Sequence, residues 1–273
     1  MVLINSVPRA GTHLLMRVFD LAGYSRDTTV NVGSQGASRY VRRVFCRSNG
    51  ELLTLAVPLA DTTCGLVSRG KFRKRFAPLG KIPDGKYVSG HLLWSRFAAG
   101  YFRQLSVRMI VILRDPRAVA MSHIHWVRDE RHEHPLRERY RAQSIAECMR
   151  DEFCGIGNTG IASYPSQLPM STRYRNMALW KKGLDVHFTS FEALVGPRGG
   201  GDQRTQEDAI ARVLAFAGDT TDPSQIAQEL WGKSDTFRVG AARGWQESAN
   251  DIPAEAKRDI DEMLAIIERL THR

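Results

Sequence analysis

The opening stretch MVLINSVPRAGTHLL constrains this chain more than any other. Val2, Leu3, Ile4 and Val7 suit a short buried strand, Pro8 and Gly11 mark its end, and the apolar pattern resumes at Leu14 and Leu15 as a helix. Gly11 carries no Cβ, so its backbone N–H can approach an anion closely, and the unpaired N–H groups of the next helical turn point the same way. Arg9 adds a permanent positive charge and Thr12 a hydroxyl, which completes a cradle for a phosphate. The nucleotide-triphosphatase loop would need Gly-x-x-x-x-Gly-Lys-Ser/Thr and the dinucleotide fingerprint Gly-x-Gly-x-x-Gly. Neither occurs here, so if the loop holds a phosphate it belongs to another class of binder.

With 273 residues, 42% of them hydrophobic, the chain can bury a substantial core, and a single domain over 1–273 is expected. No apolar run is long enough to cross a bilayer, and residues 1–20 lack the order of a secretory signal, so a cytoplasmic protein without a transmembrane segment is expected. Cys46, Cys64, Cys148 and Cys154 form neither a C-x-x-C pair nor a zinc-site spacing with histidine, and are expected to be reduced thiols. The net charge of +10 concentrates anionic partners without identifying them.

Further along, Lys86 to Leu93 reads as a strand with His91 near its end, and an aromatic helix follows through Phe97, Tyr101 and Phe102. Val107 to Leu113 is the strongest strand pattern, running into Arg114-Asp115-Pro116-Arg117 and then a helix, with proline well placed in the first turn. Strands feeding helices through short turns are the unit of a parallel sheet, so the expected fold is α/β, a central, mainly parallel sheet flanked by helices. Asp185 to Leu194 reads as another strand. Helices are expected at Met170 to Lys182, Gln206 to Phe216, Pro223 to Trp231 and Pro253 to Leu270. Residues 24–85 show no sustained period and read as loop-rich. Among His123, His125, His132 and His134 no H-E-x-x-H is formed, and His123 and His125 do not share a helical face, so no metal site is expected.

Three blocks in this order carry a resemblance. Pro8-Arg9-Ala10-Gly11-Thr12 resembles the Pro-Lys-Ser-Gly-Thr loop of sulfotransferases that use 3′-phosphoadenosine 5′-phosphosulfate (PAPS), the loop that takes the donor's 5′-phosphosulfate end. Arg114-Asp115-Pro116-Arg117 through Ser122 resembles that family's 3′-phosphate block, and Phe237-Arg238-Val239-Gly240 through Gly244-Trp245 is similar to its C-terminal Phe-Arg-Lys-Gly-x-x-Gly-x-Trp block. Phe191-Glu192-Ala193-Leu194 stands where relatives carry Tyr/Phe-Glu-Asp-Leu, and Lys86 to Leu93 resembles the Lys-x-x-His-Leu-Pro stretch.

The resemblance implies that Arg9 and the Ala10, Gly11, Thr12, His13 and Leu14 segment bind the phosphosulfate, and that Arg114, Ser122, Arg238 and the backbone around Val239 and Gly240 hold the 3′-phosphate. It implies His91 as general base, with His13, His123 and His125 in reserve. The sulfuryl group would pass in line from PAPS to an acceptor hydroxyl, on a small molecule or a glycan, leaving adenosine 3′,5′-bisphosphate (PAP), with no metal required. Three positions depart from the pattern. Arg9 replaces lysine, Val239 replaces lysine, and Leu14 stands where many relatives place a tryptophan on the adenine, so Trp231 or Phe237 is expected to supply that surface.

Two other functions fit parts of the sequence less well. A small-molecule or nucleotide kinase would need the missing Gly-Lys-Ser/Thr. A basic nucleic-acid-binding module would use the positive charge on phosphates, but no recognition helix or aromatic RNA-binding sheet is visible, so no nucleic-acid partner is expected. The dimerisation motif of some cytosolic relatives is not visible, which leaves the oligomeric state open.

Overall fold

The computed structural model describes residues 1–28, 73–74, 76–161, 166–231 and 245–272, together with the backbone of two strands at 41–48 and 51–58. Its strands are β1 (Val2–Ser6), β2 (Ser25–Arg26), β3 (Val41–Ser48), β4 (Glu51–Pro58), β5 (Lys86–Gly90), β6 (Arg108–Leu113) and β7 (Val186–Ser190). The helices, in chain order, are α1 (Thr12–Leu21), α2 (Arg96–Gln104), α3 (Pro116–Arg128), α4 (Arg137–Ala142) and α5 (Ile145–Cys154). They continue as α6 (Met170–Leu179), α7 (Phe191–Leu194), α8 (Gln203–Ala217), α9 (Pro223–Glu229) and α10 (Lys257–Thr271).

Five strands form one sheet in the order β2-β5-β1-β6-β7, and every pairing in it is parallel. A parallel sheet is covered on both faces, and its strands are apolar on both. Here Leu3, Met109, Val111 and Leu113 point into one core, while Val2, Ile4, Ile110 and Ile112 point into the other. Trp180 closes the first core by stacking on Phe102, their ring centroids 5.9 Å apart. The second is closed by α1 and α8 through Leu15, Phe19, Ile210 and Leu214. Among the described residues no helix is long and apolar enough to cross a membrane.

The expected α/β architecture is observed, with local differences. The strand expected over Asp185 to Leu194 ends at Ser190, whose hydroxyl accepts from Ala193 N at 3.1 Å and turns the chain into α7. The strand expected to reach Leu93 ends at Gly90, because Asn5 captures both backbone groups of Leu92. Within the stretch read as loop-rich, β3 and β4 form an antiparallel pair of their own. In β3 the alternation is broken by Arg42, Arg43 and Arg47, and β4 is an almost continuous apolar run after Glu51, so neither shows a period of two.

Candidate active site

From β1 the chain crosses to β2 and β5 on one side, and from β6 it crosses to β7 on the other. The crevice for a ligand in such a sheet lies where these directions diverge, beyond the carboxyl ends of β1 and β6. Residues 7–11 fill that position. Ala10 N donates to Val7 O at 3.1 Å, which tightens the turn, and both Arg9 (φ 70°) and Gly11 (φ 109°) are left-handed. An arginine in that region costs energy that its surroundings must offset, and successive turned residues aim their N–H groups into a concavity suited to an anion. Gly11 is required twice over. Besides its positive φ, a Cβ there would sit 2.8 Å from Phe191 Cδ2 and 3.0 Å from Ile112 Cδ1. No side chain caps α1, so its first-turn N–H groups open onto the same concavity.

Arg114 meets this loop from the end of β6, and Ser122 and Trp126 meet it from α3. Arg114, only 5% exposed, donates from Nη1 to the Arg9 carbonyl at 3.3 Å, and its guanidinium carbon lies over the Phe191 ring, 4.0 Å from its centroid. Tyr174 Oη donates to the Arg114 carbonyl at 2.5 Å, fixing the turn that leaves β6. Burial pulls the Arg114 guanidinium below its ordinary value, opposed by the nearby Glu192 carboxylate, and it stays charged at neutral pH. Arg9 Nε donates to Ser122 Oγ at 3.3 Å, and its guanidinium carbon lies 5.8 Å from the Trp126 ring centroid. Arg117 forms a two-pronged pair with Asp115, the N-cap of α3, and stacks 3.9 Å over Trp245.

His91 reaches the same loop from the other flank. Asn5 Oδ1 accepts from Leu92 N at 2.7 Å and Asn5 Nδ2 donates to Leu92 O at 3.0 Å, so the segment after β5 is pinned to β1. That pin sets His91 Nδ1 at 3.0 Å from both the carbonyl and the hydroxyl of Ser6. A carbonyl only accepts, so Nδ1 carries the proton and the neutral ring presents its lone pair at Nε2. Burial, reinforced by the positive charge of Arg9 and by His13 and His123, pushes His91 down to about 4 against the opposing pull of the Ser6 carbonyl. The ring is therefore neutral at pH 7. The Ser6 hydroxyl continues to Thr12 Oγ1 at 2.6 Å, so the Thr12 hydroxyl, expected on the phosphate, is engaged inside the protein.

The remaining positions divide. Ala10 and Leu14 are buried, Leu14 within the α1 core and unable to present a wide surface to a base. His13 and His125 are exposed. His123 is buried, with Nδ1 paired to Glu152 Oε1 at 2.6 Å. Trp231 packs against Gly199, beyond the end of β7. Phe237, Arg238, Val239 and Gly240 lie outside the described residues. No three metal-binding side chains converge among the described residues. Ser6, Asn5 and Trp126 were missed from sequence; two polar residues at the end of an otherwise apolar strand were the available signal for the first two.

A family model described as Sulfotransferase domain matches residues 1–196. The chain belongs to the sulfotransferase family. Comparison with curated protein sequences finds no match. Among solved structures, mouse sulfotransferase SULT7A1 complexed with PAP superposes with a TM-score of 0.52 at 16% identity, covering 99% of this chain and 85% of that one. Retinol dehydratase in a complex with retinol and PAP gives 0.49 at 15%, covering 100% and 82%. The sulfotransferase domain from the curacin biosynthetic pathway gives 0.42 at 13%, covering 97% and 96%. In this sulfotransferase the matched span contains Arg9, His91, Arg114 and Ser122, and ends just beyond α7, whose Phe191 underlies Arg114.

Proposed function

We propose that this sulfotransferase takes its sulfuryl group from PAPS and passes it to an acceptor hydroxyl, on a small molecule or a glycan, with His91 as general base. The observation that carries the reading is the Ser6 carbonyl at 3.0 Å from His91 Nδ1, which leaves Nε2 as the proton-accepting atom beside the anion loop. Nε2 takes the acceptor's hydroxyl proton as that oxygen bonds to sulfur. The bond from sulfur to the 5′-phosphate oxygen breaks in the same in-line step, and PAP departs with the electron pair. Negative charge grows on the departing phosphate, where Arg9 and the N–H groups of Gly11, Thr12, His13 and Leu14 stabilise it without reorganising.

A second anionic group on the donor needs a second cation, and Arg114 and Ser122 supply one a single loop away, joined by Arg238 and the backbone of Val239 and Gly240. The fork of Arg114 suits phosphate geometry. Trp231 or Phe237 faces the adenine in this reading. The PAP held by the similarly folded mouse enzyme is consistent with it.

Calorimetric titration with PAP, ADP and ATP tests the donor without knowledge of the acceptor. PAP is expected to bind at least about tenfold more tightly than either nucleotide, roughly 1.4 kcal/mol of discrimination. Preference for ATP would instead support a kinase, and no nucleotide binding by the folded protein would remove the proposal.

A further inference from the structure

The chain between α3 and α4 brings an aromatic and basic cluster against the Arg9 side of the anion loop. One ring organises it. His132 and His134 have ring centroids 5.1 and 5.2 Å from that of Trp126, which also lies 5.8 Å from the Arg9 guanidinium carbon. His134 Nδ1 accepts from Leu136 N at 3.2 Å, so the proton of its neutral ring sits on Nε2, a hydrogen-bond donor. Arg137 N donates to His134 O at 3.0 Å, tying Arg137 to the same turn.

The Arg137 side chain is unfinished. Its Nε and Nη2 are buried, and among the described residues neither has a hydrogen-bond partner. Neighbouring carboxylates are already engaged. Glu130 pairs with Arg141, Asp129 with Arg131, Asp151 with Arg139, and Glu152 with His123 and Arg173, while Glu133 and Glu138 are exposed. Buried donors of a permanent cation are costly unless an acceptor completes them, and a planar fork is completed best by an oxyanion with two oxygens. Burial, with His123 next, lowers His134 to about 4; Glu152 opposes them and Arg137 adds to them.

We propose that Arg137, assisted by His134, binds a carboxylate or comparable oxyanion on the sulfuryl acceptor, so that the preferred acceptor is a hydroxy acid. Its hydroxyl would lie toward Arg9 and His91, and its anionic group across the Trp126 ring. This inference rests on the proposed sulfuryl transfer and names the acceptor class for that site. It gives Arg137 no part in holding the donor.

The test is calorimetry on the PAP-saturated protein with matched pairs, para-hydroxyphenylacetate against para-hydroxyphenylacetamide and glycolate against glycolamide, for wild type, Arg137→Gln and Arg137→Lys. At least one acid is expected to bind about tenfold or more tightly than its amide. Arg137→Gln should abolish that preference, Arg137→Lys should restore part of it, and PAP affinity should stay the same in all three proteins. Equal affinity for acid and amide in both pairs, no binding of either acid, or a preference that survives in Arg137→Gln would overturn the assignment. Failure of wild type to bind PAP would overturn the donor reading itself, and is seen before any acceptor is added.

Discussion

Arg114 is joined to Arg9 through the backbone and not through charge: the guanidinium at the end of β6 donates to the Arg9 carbonyl at 3.3 Å, while the Arg9 side chain reaches Ser122 at 3.3 Å. The anion loop after β1 is thus held by the strand beside it and by the helix that strand feeds. The two arginines form one mechanical unit.

Arg114→Ala should therefore weaken PAP binding by about tenfold to a hundredfold, the loss expected for one or two charged hydrogen bonds. Arg114→Lys should recover little, since an ammonium replaces neither the fork nor the contact with the Phe191 ring. Calorimetry decides it, and unchanged affinity would put the 3′-phosphate elsewhere.

Arg9→Ala should lower kcat by about 10²- to 10³-fold with a much smaller effect on PAP affinity, because its charge matters most as the leaving phosphate develops its own. Single-turnover kinetics separates the two effects. A loss confined to KM would make Arg9 a binding residue only.

His91→Ala should retain PAP binding while the transfer rate falls by about 10²-fold or more. The wild-type rate should show no His91 inflection between pH 6 and 8, falling only toward about 4, where His91 takes up its proton. An inflection near the ordinary histidine value of 6.5 that survives in the variant would assign the base to another imidazole.

The same residues fix the acid limit of stability. His91 and His134 are both lowered to about 4, chiefly by burial. Unfolded histidine binds its proton near 6.5, so on acidification the unfolded chain takes up protons first. Their contribution is present in full above about 6.5 and is lost as pH falls toward about 4. Thermal midpoints should drop across that window, and less steeply in His134→Asn than in wild type.

Glu152→Gln should destabilise the fold by about 3–5 kcal/mol, the usual result of removing one partner from a buried ionic group. Its Oε1 accepts from His123 at 2.6 Å, Tyr140 at 2.6 Å and Gln167 at 2.9 Å, and Arg173 lies 3.2 Å from Oε2. Denaturant unfolding reads the change. A midpoint equal to wild type would mean that the neutral amide satisfies the same donors.

The elements nearest the site were legible because their signals are local. Gly11 was marked by its place between an apolar strand and an apolar helix, and its φ of 109° meets that expectation. Pro116 sits at the start of α3, where a missing N–H costs nothing. The far half of Asp185 to Leu194 was misread because FEAL suits strand or helix equally by apolar pattern. The Ser190 hydroxyl decided it by capping Ala193 N.

By itself, then, the sequence determined a parallel α/β sheet, the glycine-containing turn after β1 and the arginine at the end of β6, because apolar period, glycine and proline act on the backbone within a few residues of where they stand. Only the tertiary structure decided the tautomer of His91, which depends on Ser6, 85 positions away, and the neighbours of Arg9, whose guanidinium meets Ser122 and Trp126 of α3 more than a hundred positions on. The reason is geometric. A parallel sheet aligns β5, β1 and β6 through crossovers, so its site is assembled from segments far apart in the chain, and no local pattern encodes which side chains meet.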